Sequence, residues 1–347
     1  MKHPDSQVNE NKIIRHYQAD GKFVDLSVDQ TIALKLNSWK GWKCAASQES
    51  LYIDYDGFIF VGNCRVKGPL GSIYDGFSLP KDWIICPLEY CSCGADIMIP
   101  KVKNEHSSEL LANFTDRPYQ SEIINRVPAL SAGVDAVETA FRDDRKQVFW
   151  DLHRRCNYSC SYCWPEVHNN YEEVKPYHLL LKTTKDLFDK FGKGKGLRFL
   201  FGGGEPTILP NFIEWMKYIQ DHGGASVVTT NGSRSPDYFR ELIRHASINM
   251  SIHFEFANIE RIAKNVEAIV DEKLKNPGCT YALEVKIMCP PGRVDDAIKL
   301  KKLLFEIPSF STSINWSVVP IRSIENNQVL VNYENEDFER LKKEINL

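Results

Sequence analysis

An α/β fold of six strand–helix units, preceded by a small cysteine-rich module, follows from three features of this 347-residue sequence. From about residue 147 onward, apolar residues alternate between a period of two and a period near 3.6. Each unit takes about 25–40 residues, the size at which consecutive strands pair in parallel through right-handed crossovers. Before that point helical periodicity is weak, turns are frequent, and five of the ten cysteines lie within a hundred residues.

The units can be read in order. "QVFWDLH" (147–153) is a short buried strand, and "YHLLLKTTKDLFDKFG" (177–192) is a helix stopped by Gly192. "LRFLF" (197–201) is the second strand and ends in "GGGEP"; the helix after it puts Phe212, Trp215, Met216 and Ile219 on one face. "ASVVTT" (225–230) is the third strand, ending in "NG". Ser235 then caps a helix with Pro236 at its first position. "INMSIHFEF", "YALEVKIM" (281–288) and "TSINWSVVPI" (312–321) are strands four to six, separated by helices over "IERIAKNVEAIVDEKL" and 294–307. Periodicity leaves two arrangements open, a doubly wound sheet or an incomplete barrel. In both, the strand ends leading into the helices form the active-site rim.

Three organisational regions are expected: a cysteine-rich module and connector over 1–145, the α/β core over 146–322, and a strand and helix tail over 323–347. In the first, "LYIDYDGFIFVG" is a hairpin turning at Asp56-Gly57, and 103–140 reads as a connector.

Composition excludes several classes. Apolar residues make up 43% and charged residues 26%, and 43 basic against 46 acidic residues leave a formal charge of −3, so no nucleic-acid or membrane field is expected. No run approaches the ~20 apolar residues of a membrane span. The polar N-terminal stretch lacks the apolar segment of a secretion signal, so the expected location is cytoplasmic.

Ten cysteines in a reducing compartment point to metal or catalysis more than to disulfides. Cys279 reads as an incidental loop thiol and Cys289 as packing. "CNYSCSYCWPE" (156–166) sets Cys156, Cys160 and Cys163 directly after the first strand. Three thiolates can hold a four-iron cluster with one iron free for a small molecule, such as one bearing adjacent amino and carboxylate groups. In "GGGEP", glycines 202–204 permit close backbone approach and Glu205 can accept from an ammonium. The alternative is a zinc knuckle with His153 or His168 as fourth ligand. His253 reads as a core histidine or a substrate contact.

The CxxxCxxC pattern with an aromatic, Tyr162, before its last cysteine, followed about forty residues on by "GGGEP", resembles the radical S-adenosylmethionine (SAM) superfamily over 146–321. The resemblance implies a partial (βα)6 TIM-like barrel in which Cys156, Cys160 and Cys163 ligate a [4Fe–4S] cluster. Gly203, Gly204 and Glu205 would hold the methionine amino group. Asn231 and Ser251 would lie near its methionyl or ribose part, and Ile287 would face the adenine. It implies SAM as cofactor, reductive cleavage to a 5′-deoxyadenosyl radical, hydrogen abstraction from a substrate, and an electron donor such as a flavodoxin or ferredoxin. No acid, base or radical-quenching residue is assigned.

The N-terminal cysteines, Cys44, Cys64, Cys86, Cys91 and Cys93, resemble the auxiliary-cluster (SPASM or twitch-type) domains of radical SAM maturases, with the DG hairpin between the first two. In that family the domain follows the barrel, whereas here it precedes it. The resemblance implies a second [4Fe–4S] cluster, with zinc as the alternative, and a peptide substrate. A small metabolite such as a sugar or nucleotide is the second substrate class, and a non-catalytic metal-binding redox sensor the different class. Spacing does not tell which four of the five cysteines bind.

Overall fold

The computed structural model describes residues 13–93, 95–104, 133–139, 145–163, 165–168, 171–194, 196–310 and 314–321, with five positions between 336 and 343. The tail expected over 323–347 falls almost wholly outside the described residues. The chain divides into two compact units, Met1–Phe149 with Lys185–Leu197, and Trp150–Thr184 with Arg198–Leu347. Among the described residues no helix is long and apolar enough to cross a membrane.

In the first unit, β1 (Ile13–Gln18), β2 (Phe23–Ser27), β3 (Lys43–Cys44), β8 (Ile84–Ile85), β9 (Lys101–Val102) and β10 (Val134–Thr139) form an antiparallel sheet in the order β2-β1-β10-β9-β3-β8. This corrects the loop-rich reading, and β10 occupies part of the expected connector. Periodicity misses the sheet because β1 is buried on both faces, including Arg15 and His16. Arg15 donates to both oxygens of Asp25 on β2, at 2.6 and 2.7 Å. A chain of short strands, β4 (Ser50–Ile53), β5 (Phe58–Phe60), β6 (Gly71–Ser72) and β7 (Gly76–Phe77), forms an antiparallel meander. Its first hairpin turns at Asp56-Gly57 as expected. Gly57 takes φ +87°, and Asp54 Oδ1 accepts from the Asp56 and Phe58 amides at 3.0 and 2.9 Å.

His16 has no exposed surface and its Nε2 lies 3.1 Å from Thr31 Oγ1. Burial pushes its pKa from 6.5 down to about 4. The folded ring refuses a proton that the unfolded chain accepts below pH 6.5, so this contribution is intact above 6.5 and lost as the pH falls toward 4. The full loss is on the order of 3 kcal/mol. Urea midpoints at pH 7 and pH 5 are expected to differ, and by less in His16→Gln; identical midpoints in the parent would contradict the assignment.

The strand–helix alternation lies mainly in the second unit, with Lys146–Phe149 and Lys185–Leu197 counted in the first. The strands β11 (Lys146–Asp151), β12 (Leu197–Gly202), β13 (Ala225–Thr230), β14 (Ser247–His253), β15 (Leu283–Cys289) and β16 (Asn315–Pro320) lie side by side in chain order, with parallel register from β12 to β16. A doubly wound sheet reverses its order at a switch point; this order never reverses, which identifies an incomplete (βα) barrel. The helices between the strands are Tyr177–Lys190, Phe212–Asp221, Pro236–Leu242, Ile259–Lys275 and Val294–Glu306. Ser235 caps the third as expected, its hydroxyl accepting from the Tyr238 amide.

Phe212, Trp215, Met216 and Ile219 are all buried. Trp215 meets Trp150 edge-on at 5.2 Å and Phe201 at 4.8 Å, while its indole N–H donates to Thr184 Oγ1 at 2.9 Å. The strands β12, β14 and β15 each have a buried face and a half-buried one. On β14, Ile248, Met250 and Ile252 are buried, while Asn249, Ser251 and His253 are half-buried; on β15, Val285 and Ile287 contrast with Glu284, Lys286 and Met288 in the same way. The half-buried face is the polar one, with Ser251, Lys286 and Ser317 in register.

Candidate functional site

The rim is built where β11, β12, β13 and β14 end. After Asp151 the chain runs without regular structure through Cys156, Cys160 and Cys163. The Cys163 amide donates to the Cys160 carbonyl at 3.1 Å, and the Tyr158 amide points at Cys156 Sγ from 3.4 Å. The residues that finish β14 dock this loop. Glu255 accepts from the Ser161 amide at 2.7 Å and from its hydroxyl at 2.5 Å. Tyr162 stacks on His253 with its hydroxyl 3.1 Å from Nδ1, and Tyr158 stacks on Phe256. Burial holds His253 down at about 4, so the ring that Tyr162 meets is neutral at pH 7. His253 therefore serves the cysteine loop, a role that its place in the sequence does not suggest.

The thiols resist ionisation. Burial pushes Cys160 up to about 12, with Cys163, Glu255 and Cys156 adding to it; Cys156 is raised by burial, then by Glu205 and Cys163. A cation among them would reverse that balance, because metal ligation favours thiolate. Among the described residues, no three His, Cys, Asp or Glu side chains converge closely enough to hold an ion as they stand. In donor type and number, three thiols on one loop fit a cluster with one iron left open.

The glycine-rich turn ends β12. Gly203 takes φ +111°, and a Cβ there would lie 2.8 Å from the His153 carbonyl oxygen. A Cβ on Gly204 would lie 1.9 Å from the Arg155 carbonyl oxygen. The Gly204 and Glu205 amides donate to the His153 and Arg155 carbonyls at 2.7 and 2.9 Å. These glycines thus let the turn press against the backbone that leads into the cysteine loop, a contact that spacing alone does not reveal. His153 is itself buried, and burial, reinforced by Lys175, lowers it to about 4.

Glu205 is 1% exposed. Its Oε1 accepts from the Thr207 amide, the Thr207 hydroxyl and the Thr230 hydroxyl at 3.1, 2.5 and 2.8 Å, and Oε2 accepts from the Asn231 amide at 2.7 Å. Burial raises its pKa, while the hydrogen bonds from Asn231, Thr207 and Thr230 pull it down. Asn231 continues the chain of contacts. Its Nδ2 donates to Asn157 Oδ1 at 2.9 Å and lies 3.8 Å from Cys156 Sγ, and Asn157 Nδ2 donates to Ser233 Oγ at 2.8 Å. Glu205 and the first cysteine are therefore joined through one asparagine.

In Glu205→Gln one of these acceptor positions becomes an NH2 group facing donors. A buried donor without an acceptor costs about 1–3 kcal/mol. Chemical denaturation is expected to read a loss in that range, and an unchanged midpoint would show that the four donors are dispensable.

Of the expected cofactor residues, Tyr162, Gly203, Gly204, Glu205 and Asn231 come together here. Ser251 lies two residues before the end of β14 on the polar inner face. Ile287 pairs with Ile252 and is 0% exposed, on the opposite face. Thr207, Thr230, Asn157 and Glu255 were missed. Small polar residues at strand ends are the one signal that could have pointed to them. Cys289 is buried, in keeping with packing, and the Cys279 thiol donates to the Ile243 carbonyl at 3.3 Å.

The N-terminal cysteines belong to the first unit. Cys44, Cys86 and Cys91 are buried, and Cys64 and Cys93 are half-buried.

Comparison with known proteins addresses the barrel. The family described as the Radical SAM superfamily matches residues 150–288. The chain is 30% identical over 92 residues to Fe-coproporphyrin III synthase of Methanosarcina barkeri, covering 26% of this chain and 22% of that protein. It is 26% identical over 137 residues to the tungsten-containing aldehyde ferredoxin oxidoreductase cofactor-modifying protein of Pyrococcus furiosus, covering 38% and 37%. It is 28% identical over 112 residues to mycofactocin maturase MftC of Mycobacterium tuberculosis, covering 32% and 28%. The chain thus spans well under half the length of these relatives. The superfamily is one of enzymes that use a [4Fe–4S] cluster and SAM. The cysteine loop after the first strand, the glycine-rich turn after the second and the unreversed strand order all lie within the matched span, and residues 150–288 are a radical SAM superfamily domain.

Proposed function

We propose that this chain cleaves SAM reductively and uses the resulting radical to take a hydrogen atom from a substrate held against the polar inner face of the barrel. The observation that carries this is the joining of Glu205 to Cys156 through Asn231. When bound, a [4Fe–4S] cluster would supply one electron to the sulfonium of SAM, whose carbon–sulfur bond would break to give methionine and a 5′-deoxyadenosyl radical. Cys156, Cys160 and Cys163 would hold that cluster. Glu205 Oε2 carries one donor, the Asn231 amide, and keeps acceptor capacity for the methionine ammonium. Tyr162 and Asn231 would position the loop and the cofactor, and Ser251 would meet the ribose side; Ile287, buried on the other face of the sheet, does not present its side chain to the adenine. The electron comes from a flavodoxin- or ferredoxin-type donor.

A maturase-type reaction on a peptide, oxidation or cross-linking, is the substrate reading we favour, on the likeness to mycofactocin maturase. Likeness to Fe-coproporphyrin III synthase favours a small molecule as the second reading. An auxiliary [4Fe–4S] centre in the N-terminal module completes the proposal. Anaerobically reconstituted protein reduced with dithionite is expected to form 5′-deoxyadenosine slowly from SAM without substrate. Protein that binds iron at Cys156, Cys160 and Cys163 yet never yields the nucleoside would overturn the enzymatic reading in favour of a redox sensor.

A further inference from the structure

We infer that the N-terminal centre is made by Cys44, Cys64, Cys86 and Cys91, without Cys93, and that Lys101 is its buried counter-charge. This rests on the auxiliary-centre reading above and names the residues that serve it.

One eight-residue segment, 37–44, organises three of the four thiols. The Cys91 amide donates to the Asn37 carbonyl at 2.9 Å and the Asn37 side chain donates back to the Cys91 carbonyl at 3.1 Å. The Cys86 amide donates to the Trp42 carbonyl at 2.9 Å, and the Gly41 amide to the Cys86 carbonyl at 2.8 Å. Cys44 ends the segment. Cys64 arrives by another route, in a turn where Arg65 and Lys67 both adopt positive φ. The buried Asp96 carboxylate pins that turn, accepting from the Asn63 and Cys64 amides at 3.1 and 2.6 Å. Cys44 and Cys86 share one apolar cluster against which Cys64 packs, and Cys91 lies in the cluster containing Trp39 and Ile97. Cys93 is in neither, and its carbonyl accepts from the Ile97 amide.

Lys101 stands where the two clusters meet. It is the cross-strand partner of Cys44, so both side chains leave the same face of the sheet. It is 1% exposed, and its ammonium lies 4.6 Å over the Trp39 ring. Its donors go to the carbonyls of Asp96 at 2.7 Å, Ile99 at 2.8 Å and Ile97 at 3.4 Å. Asp96 therefore ties the Cys64 turn to Lys101. No carboxylate pairs with this ammonium among the described residues, and a buried charge without an ion partner is costly. Four thiolates around an iron–sulfur cluster would bring the missing negative charge.

The test uses the full chain carrying Cys156, Cys160 and Cys163→Ala, so that only the N-terminal centre is observed, with iron content and midpoint potential as readouts. About four irons per chain are expected in this background. Cys93→Ala is expected to keep them, and alanine at Cys44, Cys64, Cys86 or Cys91 to lose them. Lys101→Met is expected to keep iron and shift the potential to more negative values, because the reduced cluster loses a neighbouring cation; Lys101→Arg restores it. Lys101→Gln, which still donates to the carbonyls, is the second variant should Lys101→Met not fold. Iron lost with Cys93→Ala overturns the choice of ligands, and an unmoved potential in both neutral variants overturns the role of Lys101. A background that binds zinc or no metal instead defeats the auxiliary-cluster reading itself.

Discussion

Replacing Cys156, Cys160 and Cys163 together with alanine is expected to abolish 5′-deoxyadenosine formation and to remove about four iron atoms per chain. The loop that carries them should stay docked. Ser161 on Glu255 and Tyr162 on His253 are independent of the thiols. The loss should therefore be of metal and chemistry with little loss of fold. Anaerobic iron analysis, nucleoside chromatography and near-ultraviolet circular dichroism distinguish these. Continued nucleoside formation in the triple variant would place the reactive cluster elsewhere.

Gly204→Ala is expected to have the second large effect. Its Cβ would sit 1.9 Å from the Arg155 carbonyl oxygen and 2.5 Å from the carbonyl carbon. Those atoms are backbone, so no side-chain rotation relieves the clash, and the turn after β12 must separate from the segment leading to Cys156. Overpacking of this kind costs about 1–3 kcal/mol or more. Because the Gly204 and Glu205 amides bond to that same segment, the displacement carries Glu205 with it. Denaturant midpoints and nucleoside yield should both fall. Gly278→Ala, with open space around its Cβ, is the control and is expected to be neutral. Equal midpoints for the two variants would mean that the close approach is unimportant.

The barrel was legible because its strands and helices each obey one period. The alternation places the third strand at residues 225–230, the bounds of β13, and the helix before it buries the face that its spacing predicts. The cysteine loop, Glu205 and Asn231 were legible because they follow strand ends. The antiparallel sheet of the first unit was not. β3, β8 and β9 are two residues long and have no period of their own, and β1 hides its strand character behind a buried arginine and histidine. Their order comes from partners many residues away, such as Asp25 for Arg15 and Lys101 for Cys44.

By itself, the order of residues along the chain determined that six strands alternate with helices and that three thiols and a glycine-rich turn follow the first two strands, since local spacing acts through backbone geometry. Only tertiary structure decided that the strands never reverse order, that Gly204 presses on the chain's own backbone, that Asn231 joins Glu205 to Cys156, and that Lys101 lies beside Cys44. Each of these depends on contacts between segments far apart in sequence, where packing and hydrogen-bond satisfaction, not local periodicity, choose the partner.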